Sequence, residues 1–208
     1  MSKVKICGMT ERKNLKEIVK KPIDAVGFIL AASRRQVSLK KAEKLVAELP
    51  PFVSSVGVVQ NPDLAGLREI ETAGLFDFIQ FHGQEPPDML NEISFRTIKA
   101  ISVSKPEDLN QVQKYSAADY FLFDSRVGAR RGGTGKKFDW SYLDSFSRDN
   151  PFILAGGLGP ENIAEAIRQV EPAAVDLNSK IEVKPGLKDP EKLEDTLAKK
   201  KGVKDQGG

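Results

Sequence analysis

The chain's only cysteine, Cys7, ends the apolar run Val4-Lys5-Ile6-Cys7 and is followed at once by Gly8. A thiol at a strand end that opens into a glycine turn is reachable by substrate, and its thiolate is a base or a nucleophile. The plain alternative is a small buried hydrophobe, a common fate of a free cysteine. Asp124 closes a second run, Tyr120-Phe121-Leu122-Phe123. Apolar surroundings raise a carboxyl pKa, which suits a general acid; an aspartate there also suits a loop cap. Arg34-Arg35 follows a third run, and a guanidinium forks onto carboxylate or phosphate. Gly156-Gly157-Leu158-Gly159-Pro160-Glu161-Asn162 leads from a strand signal into a helix signal, where backbone N–H groups favour an anion. Asn178 and Ser179, beside Lys180, add polar side chains after the last run. His82, the single histidine, has acid–base capacity. No second histidine accompanies it, and a structural role is expected. No cluster of His, Cys, Asp and Glu has ligand spacing, so no metal is expected.

These residues need a frame that brings them together. Short, nearly continuous apolar runs recur at Val4–Cys7, Ala25–Leu30, Ser54–Val59, Phe78–Phe81, Thr97–Ile101, Tyr120–Asp124, Phe152–Ala155 and Ala174–Leu177. Such runs suit strands buried on both faces of a parallel sheet. Helix-compatible stretches separate them: Glu11–Lys20 after the candidate cap Thr10, Ser38–Leu49, Pro62–Ala73 after Asn61, Lys105–Tyr115, Asp139–Phe146, Pro160–Val170 and Asp189–Lys199, with a weaker one at Pro86–Glu92. Eight βα units predict an α/β chain folded as a single (β/α)8 TIM barrel of compact size, over residues 1–201, with a short C-terminal tail at 202–208. Chemistry in such a barrel sits at the C-terminal strand ends, and the loops after strands 7 and 8 commonly hold phosphate. Cys7, Arg35, Asp124, Gly156, Gly157, Asn178, Ser179 and Lys180 all fall at those ends. The glycine-rich stretch Ser125–Lys137 reads as a lid over the site.

Composition narrows the function classes. The chain has 208 residues, 40% hydrophobic and 29% charged, with a net charge of +3. That small charge, spread along the chain, argues against nucleic acid as a partner. The single cysteine excludes an internal disulfide and fits a reducing compartment. No apolar run is long enough for a membrane span, and MSKVKICGMT carries no apolar leader, so a cytoplasmic location is expected.

Taken together, KICGMT (Lys5–Thr10), SRR (Ser33–Arg35), VGVVQN (Val56–Asn61), QFHG (Gln80–Gly83), FDS (Phe123–Ser125), GGTGKKFDW (Gly132–Trp140), AGGLGPENI (Ala155–Ile163) and VDLNSKIEVKPGLKD (Val175–Asp189) resemble the phosphoribosylanthranilate isomerases of tryptophan biosynthesis. The motifs stand in the family's order along nearly the whole chain. The resemblance implies an Amadori rearrangement of N-(5′-phosphoribosyl)anthranilate to an aminodeoxyribulose phosphate, without a cofactor. It implies Cys7 as general base, Asp124 as general acid, and Arg35 on the anthranilate carboxylate. It implies phosphate held by Gly156, Gly157 and the loop after strand 8. That loop departs from the family's usual DVSSGVE: Lys180 replaces a glycine, and with it comes the expectation of a charge contact or a rearranged backbone. The partner expected is a small phosphoribosyl molecule, the oligomeric state being open between monomer and homodimer. Two alternatives stand beside this one: an aminoaldose isomerase of the histidine-pathway type, which uses two aspartates at strand ends 1 and 5, and a non-catalytic phosphate-binding barrel.

Overall fold

Alternation within the apolar runs decides the architecture. In β1 (Lys3–Cys7), Val4 and Ile6 face one side and Lys5 and Cys7 the other, and both sides are buried. The same alternation holds through β2 (Ala25–Ile29), β3 (Ser54–Val59), β4 (Phe78–Phe81), β5 (Arg96–Ser102), β6 (Tyr120–Asp124), β7 (Phe152–Ala155) and β8 (Ala174–Leu177). The strands pair in chain order, all parallel, and β8 pairs back onto β1, closing the expected barrel. Its interior is packed by Val56, Val58, Ile98, Ala100, Leu122 and Ala155, with Cys7 at the top of that cluster. The larger core lies between the outer strand faces and the surrounding helices. The computed structural model of the protein describes residues 2–124, 140–143, 146 and 151–203. The expected lid, Ser125–Lys137, and the tail beyond residue 203 lie outside the described residues.

The crossover segments are shorter than the sequence predicts. Helices α1 (Arg12–Ile18), α2 (Leu39–Val46), α3 (Leu64–Ala73), α4 (Gln111–Lys114), α5 (Ile163–Val170) and α6 (Pro190–Lys201) occupy most of the expected stretches. Pro87–Glu92, Pro106–Asn110 and Trp140–Leu143 form tighter 3-10 turns instead. Ser38 caps α2 through Lys41 N–H, and Asp189 caps α6 ahead of Pro190. At α3 the cap is Asp63, accepting from Gly66 N–H at 2.8 Å, so the helix starts two residues beyond Pro62. Thr10 does not cap α1. Its hydroxyl donates to the Gly186 carbonyl at 2.9 Å, tying the β1 loop to an unexpected antiparallel hairpin of β9 (Glu182–Lys184) and β10 (Leu187–Lys188).

Three carboxylates close the N-terminal end of the barrel in one repeated way. Asp24, Asp77 and Asp119 immediately precede β2, β4 and β6. Each accepts from the second backbone N–H of the preceding odd strand: Val4, Ser55 and Thr97, at 2.8, 2.7 and 2.7 Å. The Ser55 and Thr97 hydroxyls bond to the same carboxylates. A strand's first donors have no ladder partner on that side, and the aspartates supply one.

Candidate active site

The C-terminal end of the barrel opens into a cleft of about 160 Å³ that brings Cys7, Arg35, Asp124, Gly156, Gly157, Asn178 and Ser179 together. Cys7 and Asp124 are the inward-facing last residues of β1 and β6, each 5% exposed. Cys7 is thus both buried and part of the cleft lining.

A charged set surrounds the sulfur. Lys5, two residues earlier on the same face, is buried and donates to Asp176 Oδ2 at 3.0 Å, and its positive charge stands near Cys7. Burial pulls the Lys5 ammonium down, but Asp176 and the sulfur outweigh it and leave it above its usual range. For Cys7, burial dominates and pushes the thiol up, against the charges of Lys5 and Lys188. The depressed thiol expected of a catalytic cysteine is therefore not what the resting site holds. Asp176, an inward carboxylate in β8, also lines the cleft; its Oδ1 is buried with no hydrogen-bond partner among the described residues.

Arg35 is committed differently from its expected role. Its Nε and Nη2 grip Glu182 at 2.9 and 2.6 Å, consuming the fork edge that was expected to meet a ligand carboxylate. Glu182 also accepts from the buried Lys188 ammonium at 2.8 Å and from Gly186 N–H at 3.0 Å. Burial pushes the Glu182 carboxyl up, yet these donors hold it down to about 2. Lys188 further donates to Asn178 Oδ1 at 2.8 Å, leaving the Asn178 amide nitrogen as the donor it can offer. The hairpin therefore fixes both Arg35 and Asn178.

Beside Asn178, at the end of the neighbouring strand β7, Gly156 (φ 96°) and Gly157 (φ 65°) turn the chain toward α5 in a conformation that favours glycine. A Cβ on Gly157 would point into open space. Asn162 holds this turn, accepting from Gly159 N–H at 3.0 Å and donating to the Gly157 carbonyl at 3.2 Å. Lys180 packs its stem over Gly159 and sends its exposed ammonium to within 3.9 Å of Glu161. It borders, with Lys192, a second cavity that shares Gly157 with the cleft of Cys7 and Asp124.

One site residue was given a structural role by sequence and another was not singled out. His82 was expected to be structural, but its Nε2 stands 3.7 Å from Asp124 Oδ2 in the cleft. The Gln80 amide nitrogen donates to Nδ1 at 2.8 Å, which puts the proton of the neutral ring on Nε2, facing Asp124. The C-terminal ends of β4 and β6, one strand apart in the barrel, make this pair rather than sequence proximity. Asp176 was equally silent; the available signal was a carboxylate inside the apolar run of β8 matched by a lysine inside that of β1.

The frame and these positions can be set against known proteins. The model of the N-(5′-phosphoribosyl)anthranilate (PRA) isomerase family matches residues 4–199. The chain belongs to that family. N-(5′-phosphoribosyl)anthranilate isomerase of Petrotoga mobilis is 45% identical over 205 residues, covering 98% of this chain and 99% of that one. A solved phosphoribosylanthranilate isomerase in complex with reduced 1-(o-carboxyphenylamino)-1-deoxyribulose 5-phosphate superposes with a TM-score of 0.85 at 34% identity, covering 97% of this chain and all of that one. Monomers of the dimeric isomerase from Thermotoga maritima superpose with a TM-score of 0.85 at 32% identity and the same coverage. The barrel that the chain shares with these solved isomerases closes through eight parallel strands. No helix among its described residues is long and apolar enough to cross a membrane.

Proposed function

We infer that the chain, as one catalytic barrel over residues 1–201, converts N-(5′-phosphoribosyl)anthranilate to 1-(2-carboxyphenylamino)-1-deoxyribulose 5-phosphate in tryptophan biosynthesis. The observation that carries this reading is the convergence of Cys7 and Asp124, the inward last residues of β1 and β6, on one cleft. The phosphate goes to the Gly156–Gly157 turn, Ser179 and the Asn178 amide, where backbone N–H groups and the start of α5 favour an anion. The anthranilate carboxylate goes to the Arg35 edge left over by Glu182. Lys180 adds long-range positive charge near the phosphate rather than a direct contact.

Asp124 donates its proton to the furanose ring oxygen, the C1′–O bond breaks, and the nitrogen lone pair forms the Schiff base. The Cys7 thiolate then takes the C2′ proton, and the C–H electron pair moves to give the enolamine, which tautomerises to the ketone. The chemistry asks one group for a proton and the other for a pair of electrons, and the two stand on separate walls of the barrel mouth. His82, with Nε2–H toward Asp124, suits the carboxylate left after protonation. The direct test is loss of substrate fluorescence when purified protein meets freshly made phosphoribosylanthranilate. Turnover abolished in Cys7→Ser supports the reading; wild-type protein without turnover overturns it.

The partner reading extends to a second copy of this chain. Phe52 is wholly exposed, with φ 69°, beside a largely apolar cavity of about 350 Å³ at the N-terminal end of the barrel. Plug and cavity on one end of the molecule suit an isologous pair, each phenylalanine entering the other barrel's base. The dimeric state of the Thermotoga maritima isomerase supports this choice.

A further inference from the structure

Lys5 is a costly residue to place inside a barrel. The interior around it is aliphatic and aromatic, and a buried ion pair commonly stabilises no more than apolar side chains of the same volume. Its position has one specific consequence, which is a positive charge close to the sulfur. An ideal Cβ on Gly27 would lie 2.9 Å from Cys7 Sγ and 3.1 Å from Lys5 Nζ, so the glycine in β2 leaves the space in which thiol and ammonium meet. Asp176 fixes the ammonium from the β8 side at 3.0 Å.

We propose that Lys5 is a positioning residue for the Cys7 base: its ammonium, anchored by Asp176, holds the sulfur and favours the thiolate inside a site that otherwise disfavours charge. This rests on the reading of Cys7 as the base. The groups facing the sulfur are Lys5 on its own strand, Asp176 from β8, Lys188 from β10 and Arg35 from the loop after β2. Burial and Asp176 oppose the thiolate, whereas Lys5 and Lys188 favour it. Of the two lysines, Lys5 shares the strand face of Cys7 and brings its Nζ beside the space over Gly27 that the sulfur borders, while Lys188 spends its hydrogens on Asn178 and Glu182. When Cys7 accepts the C2′ proton its charge vanishes, and the neutral Lys5–Asp176 pair remains without penalty. The thiol is then free to give the proton back.

Because Cys7 is the only cysteine, alkylation by iodoacetamide reports on it alone. Alkylation rate and kcat/KM are measured across about pH 6–10 for wild type, Lys5→Met/Asp176→Asn and Asp176→Asn, since the reagent reads the thiolate fraction. In the double variant the alkylation midpoint rises by about one pH unit or more, and kcat/KM near neutral pH falls about tenfold with its rising limb displaced equally. In Asp176→Asn, which keeps the ammonium and removes the opposing charge, the alkylation midpoint falls. A double variant that folds yet keeps the wild-type midpoint overturns the proposal. If that variant does not fold, Lys5→Gln, which still offers Asp176 a donor but carries no charge, replaces it, and an unmoved midpoint there overturns the proposal. A midpoint that moves while the rate profile stays put supports the hold on the sulfur and overturns Cys7 as base.

Discussion

At the scale of single residues, the proposed chemistry divides cleanly between two side chains. Cys7→Ser replaces a thiol with a hydroxyl that is far harder to ionise, and turnover is expected to fall by about 10²–10⁴-fold with the fold retained, measured by substrate fluorescence and circular dichroism. Because burial pushes the thiol up, wild-type kcat/KM is expected to keep climbing above pH 8 rather than level near neutrality. A plateau already reached at pH 7 counts against Cys7 as the group that must lose a proton. Asp124→Asn keeps the shape and removes the transferable proton, so kcat drops while KM changes little. A large KM rise at constant kcat would make Asp124 a binding residue. Arg35→Ala is expected to raise KM for phosphoribosylanthranilate strongly and to leave inhibition by ribose 5-phosphate, which lacks the carboxylate, nearly unchanged. Arg35→Lys rescues little, because an ammonium cannot grip Glu182 through two parallel bonds and still reach the ligand. Equal weakening of both ligands would put Arg35 at the phosphate end.

At the scale of elements, the hairpin β9–β10 and the aspartate clamps each carry a measurable share of stability. Glu182 is held at about 2 against an ordinary value near 4.5, a difference worth on the order of 3 kcal/mol. Its folded value is depressed, so that contribution is present above about pH 4.5 and drains away as pH falls toward 2. Urea unfolding of wild type is therefore expected to lose stability steeply over that window, and Glu182→Gln, less stable at pH 7, to show a shallower slope there. Parallel slopes would place the acid sensitivity elsewhere. Asp119→Ala strips the acceptor from Thr97 N–H and hydroxyl, both buried, and is expected to cost about 1–3 kcal/mol in urea unfolding with kcat/KM per folded chain unchanged. The strands behind these devices were legible in sequence, because burial on both faces writes itself as unbroken apolar runs. The short 3-10 crossovers and three-residue β9 were not, since elements of that length carry too few residues to show a period. The same limit explains the site. Cys7, Asp124 and the Gly156–Gly157 turn sit where a strand signal ends and can be read off the chain. The His82–Asp124 approach and the Lys5–Asp176 pair join distant segments through barrel closure. Arg35 was visible as a cation at the rim, but its commitment to Glu182 depends on a hairpin that the sequence does not announce.

At the scale of the whole molecule, the two ends of the barrel do different work, and Phe52 marks the end that the chemistry does not use. A non-glycine residue at φ 69° costs about 1–2 kcal/mol, and an aromatic side chain left wholly in water gains nothing in return. Pro50 and Pro51 precede it and Val53 N–H closes the turn on the Pro50 carbonyl at 3.3 Å, so the loop is built to hold the ring out. In the proposed pair, burying that ring in a partner's cavity would recover roughly 1.5–3 kcal/mol per copy, enough to offset the strained backbone. Phe52→Gly removes the plug and relieves the φ at once. Wild type is expected to sediment as a dimer at micromolar concentration and Phe52→Gly as a monomer, with melting of the isolated chain no worse for the substitution. Activity per chain is expected to survive, because the cleft that holds Cys7 and Asp124 opens at the other end. Wild type sedimenting as a monomer up to about 100 μM, or Phe52→Gly remaining a dimer of undiminished affinity, would remove the plug from the account and leave the exposed ring at position 52 without a role.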